Sequence, residues 1–228
     1  MTSRLRVMSA NLMNDGADAE AFGALVETVE PDLVAVQEMG FAQAEVLARL
    51  LPFGKLEPAR NHRGMGIALR RPGSVRYVRL RYRGVYLADV DGDGDQGSIE
   101  VLNVHIAAPH IVPFYLSFAR RRAQLAGLLQ YLDSSEAERR VLVGDLNSTP
   151  AWPVYRRLSR RFHDAALEVA RRSGRRPYAT WGPGTSGRRR LLRIDHILVS
   201  GVAAQDFRVL PIRGSDHSAI VADLTWPT

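Results

Sequence analysis

Asp145 and Asn147 stand two apart at the end of the apolar run Val141-Leu142-Val143-Gly144. Such a run reads as a strand buried on both faces, and residues two apart in extended chain point the same way. A carboxylate and a carboxamide would therefore leave the strand end together. Gly, Asp and Asn also favour turns, so the pair alone reads equally well as a strand-to-turn signal. Five more apolar segments carry polar residues at their ends: Asn11, Glu38, His105, Asp195, and Asp216 with His217. Six such ends would cost too much desolvation to be a packing choice. Oxygen donors in a chain without cysteine suit a hard cation, Mg²⁺ or alternatively Mn²⁺. Imidazoles beside carboxylates suit proton transfer and phosphate neutralisation near neutral pH. Together these parts fit metal-assisted attack of water on a phosphate ester.

The apolar pattern outlines the elements that must hold these groups. Strands are expected at Leu5–Asn11, Leu33–Val36 running into Gln37-Glu38, Gly64–Leu69, Val75–Tyr82, Val85–Val90 and Ile99–Ile106. Further strands are expected ahead of Asp145, at Leu191–Val199 and Phe207–Ile212, and at Ala219–Leu224 after Gly214-Ser215-Asp216-His217. Helical spacing of Phe22, Leu25, Val26 and Val29 marks Ala19–Glu30, and a second helix covers Phe41–Leu51; Pro31 and Pro52 close the two. The longest helix is expected at Phe114–Leu132, with shorter ones at Trp152–Leu158 and Asp164–Ala170. Arg171–Arg193, broken by Pro177, Gly182, Pro183, Gly184 and Gly187, reads as a loop. Helices mixed with hairpins imply a layered α/β (α+β) chain with two sheets inside and helices outside. No repeat or linker divides the 228 residues, so one domain spanning 1–228 is expected.

Composition bounds the partners. No apolar run approaches the roughly 20 residues of a membrane span, and Met1–Arg6 lacks the apolar core of a leader, so a cytoplasmic protein is expected. The absence of cysteine excludes disulfides, thiolate metal sites and a cysteine nucleophile. A net charge of +7 favours polyanionic partners. Of the 31 basic residues only Lys55 is lysine, so part of this bias can record a GC-rich genome.

Ser9-Ala10-Asn11, Gln37-Glu38, Gly66-Ile67-Ala68, Asn103-Val104-His105, Gly144-Asp145-Leu146-Asn147, Arg193-Ile194-Asp195-His196 and Ser215-Asp216-His217 together resemble the ordered motifs of the endonuclease/exonuclease/phosphatase superfamily. The resemblance runs from residue 9 to 217 and implies a four-layer αββα sandwich: two packed mixed sheets flanked by helices. It implies Glu38 as the main metal ligand, with Asn11 and Asp216 beside it. Asp145 and Asn147 would position the attacking water, and His217, oriented by Asp195, would contact or protonate the phosphate. His105 would be a second imidazole near the leaving group. Thr180, in a Thr180-Trp181 pair similar to one in the bacterial phosphatase-like branch, is expected to contact phosphate, as are Arg193 and Arg121. His196 follows Asp195 and would face the other way, a structural position. The Trp-Asn and Glu-x-Lys sequences of abasic endonucleases are missing: Ala10 precedes Asn11, and Gly40 stands two after Glu38.

The expected substrate is a phosphodiester of DNA or RNA, cleaved by a monomer. Arginines between 171 and 193, with Tyr178 and Trp181 interleaved, favour a nucleic acid strand. The apolar stretch Pro109–Phe118 would favour a lipid phosphate if exposed; it is expected instead to pack as the start of the following helix. A third reading, a non-catalytic nucleic-acid-binding module, is opposed by the intact set of polar residues. Asp89, Asp91, Asp93, Gly94 and Glu100 have the spacing of a calcium loop. Gln96 stands where an apolar residue is wanted and strands flank the segment, so a solvated acidic hairpin is expected.

Overall fold

The computed structural model describes residues 2–91, 98–110, 113–185 and 190–227. The chain runs β1 (Thr2–Asn11), α1 (Ala19–Val29), β2 (Leu33–Gln37), α2 (Phe41–Leu50), β3 (Phe53–Glu57), β4 (Met65–Leu69), β5 (Ser74–Val78), β6 (Val85–Asp91) and β7 (Ser98–His105). It continues with α3 (Phe114–Ser134), β8 (Arg140–Asp145), α4 (Pro153–Leu158), β9 (His163–Asp164), α5 (Ala165–Ser173), β10 (Asp195–Ser200), β11 (Ala203–Pro211) and β12 (Ser218–Pro227). These strands form two six-stranded sheets, ordered β11-β12-β1-β2-β4-β3 and β5-β6-β7-β8-β10-β9.

The inner strands bury both faces, which is why they read as unbroken apolar runs. Val7, Leu33, Ala35, Ile67, Val101, Val141, Val143 and Ile197 fill the space between the sheets. Their neighbours point outward: Met8, Val34 and Val36 pack on Phe22, Val26 and Leu47 of α1 and α2. On the opposite side Leu102 and Leu142 meet Leu128 and Leu132 of α3 and Leu158 of α4. The four expected layers are thus present. Each sheet has one parallel pair at its centre, β1 with β2 and β7 with β8. Those four strands end at the same edge of the sandwich, where β10 and β12 start antiparallel to β8 and β1. Beneath that edge Gln37 Nε2 donates to Asn103 Oδ1 at 2.7 Å, and Asn103 Nδ2 donates to the carbonyls of Val36 and Gly66, tying the sheets together.

Several sequence expectations shift. β3 escaped the pattern because it is an exposed edge strand with Gly54 inside it. β5 stops at Val78, well short of Tyr82, whose φ of 75° is incompatible with a strand. Helix α5 carries Arg171 and Arg172 before Gly174 ends it in the left-handed conformation. The start of α3 does not pack inward: Phe114, Tyr115 and Phe118 are 58%, 71% and 56% exposed, while Ser117, Arg121 and Gln124 face the protein. Of the acidic hairpin, Asp89 pairs with Arg76, and buried Glu100 accepts from Tyr131 and Arg140. The hairpin's centre, with Asp93, Gly94 and Gln96, lies outside the described residues, as do Ile111, Val112, Arg188 and Arg189. Among the described residues no helix is long and apolar enough to cross a membrane.

Candidate active site

The strand ends enclose a cleft of about 430 Å³, with Glu38, His105, Asp145, Asn147, Asp216 and His217 among its walls. Gly144, at φ 133°, lets β8 reach this point; a Cβ there would stand 2.0 Å from the Val104 carbonyl oxygen. Asp145 and Asn147 converge through a turn and not through a continued strand. Asn147 has φ 46°, its N–H donates to Asp145 Oδ1 at 2.7 Å, and its Nδ2 donates to Asp145 Oδ2 at 3.0 Å. Asn11 Nδ2 adds a third donor to the same carboxylate at 3.1 Å. Burial and the neighbouring Asp195 charge push the Asp145 carboxyl up to about 7, against the opposing charge of His217 and the Asn147 N–H.

Glu38 leaves β2 with φ 54°, a strained position for a residue with a Cβ. One carboxylate oxygen is fixed by the Asn14 N–H at 3.0 Å. The other faces His105 Nε2 at 3.5 Å and Asn11 Nδ2 at 3.4 Å. His105 is held from behind by Arg83, whose Nη1 lies 3.0 Å from Nδ1. Guanidinium nitrogens only donate, so Nδ1 accepts and the hydrogen sits on Nε2, toward Glu38 and Asp145. Burial, then the Arg83 charge, hold this imidazole well below the ordinary histidine range, so it acts as a neutral donor.

His217 is the opposite case. Its Nδ1 lies 3.0 and 3.1 Å from the two oxygens of Asp195, leaving Nε2 toward Asp145 and Asp216 at 3.9 Å each. Burial lowers its proton affinity, but the charge and hydrogen bond of Asp195 raise it further, to about 9. Thr180 is fully buried and donates to Asp195 Oδ2 at 2.6 Å, while accepting the N–H groups of Ile194 and Asp195 at 3.2 Å each. It orients Asp195 and does not reach the cleft itself. Trp181 Nε1 donates to Asp216 Oδ2 at 2.8 Å. Arg190 binds the carbonyls of Ser215, Asp216 and His217, fixing the turn that carries the imidazole.

The other two expected phosphate contacts are also committed elsewhere. Arg121 is buried, with its guanidinium on the carbonyls of Ala107 and Asn147, so it braces the cleft floor. Arg193 turns away from the cleft to Asp164 at 2.6 Å, in a network with Tyr155 and His196. His196, on the face opposite Asp195, bonds the Ser148 carbonyl at 2.8 Å. Burial would raise the Asp164 carboxyl, but hydrogen bonding from His196 and the Arg193 charge outweigh it and hold it well below the ordinary range. This contribution to stability is full above the unfolded carboxyl value of about 3.9 and fades as pH falls toward the depressed folded value. Asp164→Asn is therefore expected to lower stability by about 3 kcal/mol at pH 7 and by less at pH 3, read by urea unfolding at both pH values. Equal losses at the two pH values would refute the ion-pair account. Residues that the sequence did not single out also line the cleft: Arg83, His62, Tyr82 and Trp152. Arg83 is one of thirty arginines and carries no local signal that marks it.

The donor chemistry fits a hard divalent cation. Glu38, Asp145 and Asp216 bring three carboxylates to one cleft, with the protonated His217 imidazole facing Asp145 and Asp216. Ligand atoms of Asp145, Asp195 and His217 also lie within 4.8 Å of one another. In that group Asp195 already serves Thr180 and His217, and Asp145 already accepts three donors, so Glu38 and Asp216, each with an oxygen free of a close donor, are the better-placed ligands. Asn11 presents its NH₂ to Glu38 and Asp145; its oxygen accepts the Met13 N–H at 3.0 Å, so ligation would require the amide to flip.

A carboxylate-lined cleft with an aspartate-held imidazole, at the ends of paired central strands in an αββα sandwich, defines a metal-dependent phosphoesterase. The chain belongs to the endonuclease/exonuclease/phosphatase family, whose model matches residues 8–217. No curated protein matches it in sequence. A functionally unknown conserved protein from Enterococcus faecalis V583 has the same fold, with a TM-score of 0.73 at 17% identity over 96% of this chain and 99% of that one. A humanized D. rerio TDP2 carrying 14 mutations gives 0.72 at 18% identity, covering 97% and 98%. The human Nocturnin catalytic domain with bound sulfate anion gives 0.67 at 20%, covering 97% and 94%.

Proposed function

We propose that the protein is a single-domain, monomeric, cytoplasmic Mg²⁺-dependent nuclease that hydrolyses phosphodiester bonds of DNA or RNA. The observation that carries this reading is the cleft itself: its phosphoesterase residues share walls with three aromatic rings, Tyr82, Trp152 and Trp181, on a chain of net charge +7. Aromatic faces stack bases and cationic surface attracts the phosphate backbone. A divalent cation held by Glu38 and Asp216 would supply charge neutralisation at the phosphate oxygens. Asp145 and Asn147 hold the attacking water, and Asp145, whose raised proton affinity suits it to the role, accepts its proton. His217 Nε2 donates to a phosphate oxygen, and the neutral Nε2–H of His105 hydrogen-bonds on the leaving side.

The exposed Phe114, Tyr115 and Phe118 at the start of α3, a few residues after the cleft-lining His110, favour a second reading, hydrolysis of a lipid phosphate at a membrane surface. The two separate on a panel of plasmid DNA, single-stranded RNA and anionic phospholipid vesicles, each with Mg²⁺ and with EDTA. Cleavage of nucleic acid that EDTA abolishes is expected. Metal-dependent turnover confined to the vesicles would replace the nuclease by the lipid hydrolase, and Mg²⁺-dependent binding of DNA without turnover of any substrate would leave a binding module.

A further inference from the structure

Next to the catalytic cleft lies a second pocket of about 340 Å³, bounded by β3, β4 and the turn between β5 and β6. His62, Tyr82 and Arg83 belong to the walls of both, so the two spaces adjoin. Glu57, Arg63, Met65, Tyr77, Gly84 and Tyr86 line the rest of the side pocket.

The turn that separates them is built under strain. The Arg83 N–H donates to the Arg81 carbonyl at 3.2 Å across Tyr82, whose φ is 75°. A three-residue turn of this hand is rare, and such strain gathers where a ligand is gripped. Neighbours lock it in place. Tyr77 OH accepts the Gly84 N–H at 3.0 Å. On α3, Gly127 lets the turn approach so closely that a Cβ there would stand 2.8 Å from Arg81 N. The result is that Tyr82 stands half exposed, with the Arg120 guanidinium 5.4 Å from its ring centroid, while Arg83 runs inward to His105. Among the described residues no carboxylate pairs with the Arg83 guanidinium, whose hydrogen bond is to a ring nitrogen of His105.

We propose that this side pocket is the subsite for the nucleotide unit next to the scissile phosphate, with its base against the Tyr82 ring and Arg83 bridging its phosphate to His105. The chemistry that selects the ligand is a planar aromatic group within reach of a phosphate. A half-exposed ring carried on a locked turn offers the first a stacking face. Arg63 and the Arg83 guanidinium, which has no carboxylate partner among the described residues, receive the second. Tyr82 is thereby a specificity residue, and Arg83 both a phosphate contact and the group that sets the His105 tautomer. The proposal rests on the nuclease reading for its substrate but not for its geometry.

The test uses dinucleotides, which hold one phosphodiester bond, with both bases present or with either base replaced by an abasic tetrahydrofuran unit. Tyr82→Ala is expected to raise KM about tenfold on the fully based dinucleotide, the equivalent of one stacked base. It should leave kcat unchanged, and leave KM unchanged on the dinucleotide that lacks the base on the pocket side. Tyr82→Phe, which keeps the ring, should behave as wild type. Arg83→Gln should lower kcat/KM on all three substrates alike. An equal KM change for Tyr82→Ala with and without that base, or none at all, would overturn the subsite while leaving the nuclease standing. If the wild type cleaves no dinucleotide, the nuclease reading is decided on plasmid DNA and RNA, and calorimetry decides the subsite alone. Binding of a nucleoside monophosphate that exceeds that of ribose 5-phosphate and weakens in Tyr82→Ala supports it; equal binding of the two overturns it.

Discussion

Replacing His217 with alanine is expected to lower kcat by about 10³-fold with the fold intact. The size follows from the arrangement around the ring. Asp195 takes both roles that a carboxylate can have toward an imidazole: it fixes the tautomer through Nδ1 and stabilises the protonated form. The only polar face left to the cleft is Nε2, among carboxylates where a phosphate oxygen would otherwise meet unrelieved negative charge. Asp195→Asn keeps the side-chain volume and removes that charge, so a comparable loss is expected, as in other aspartate–histidine pairs. Thr180→Val acts one step further out. It deletes the 2.6 Å hydrogen bond to Asp195 and leaves a loss of about 10- to 100-fold. The graded series is the test: steady-state kcat for the three variants, beside thermal melts that show they are folded. A His217→Ala enzyme that retained wild-type kcat would remove this imidazole from the reaction.

How much of this arrangement the sequence displays depends on what each residue's neighbours reveal. Strands buried on both faces announce themselves by composition, so Val34, Val36, Val141 and Val143 mark β2 and β8, and the polar residues that interrupt them stand out. Asn11, Glu38, His105, Asp145, Asp195 and His217 were visible for that reason, and the structure gathers them at one edge. Exposed edges give no such contrast, and β3 was missed. Arginines mislead in the other direction. Arg193 and Arg121 sit in arginine-rich stretches that look solvated, yet each is buried against partners distant in sequence, Asp164 in one case and two backbone carbonyls in the other. Arg83, in contrast, reaches the cleft because of a positive φ at Tyr82, a backbone feature that no residue type in that turn signals. Thr180 is expected from its pairing with Trp181 to contact phosphate, but its hydroxyl serves Asp195, a distinction that only the folded geometry makes.

Glu38→Gln is expected to abolish the response to divalent cation while leaving the protein folded. Glu38 and Asp216 are the cleft carboxylates with an oxygen free of a close donor: Glu38 Oε2 accepts from Asn14, while Oε1 has neighbours only at 3.4 and 3.5 Å, and Asp216 Oδ2 accepts from Trp181, while Oδ1 has His217 Nε2 at 3.9 Å. Asp145, with three donors at 3.1 Å or less, is fixed in position but less available. The left-handed backbone at Glu38 is a cost that a purely structural glutamate would not need to bear. Glutamine keeps the hydrogen bond from Asn14 and the volume but loses the charge that holds a hard cation. Wild-type protein titrated with Mg²⁺ should gain thermal stability as the cation binds the folded state alone; at 100 times the dissociation constant the gain is about 2.7 kcal/mol. Glu38→Gln should show no such gain over the same range, and its melting temperature without Mg²⁺ should equal or exceed that of wild type, since one repelling carboxylate has gone. The same titration with turnover as the readout should demand far higher Mg²⁺ for the variant. A Glu38→Gln protein with a wild-type Mg²⁺ shift in melting temperature would move the cation to the Asp145, Asp195 and His217 cluster, and with it the orientation of the substrate in the cleft.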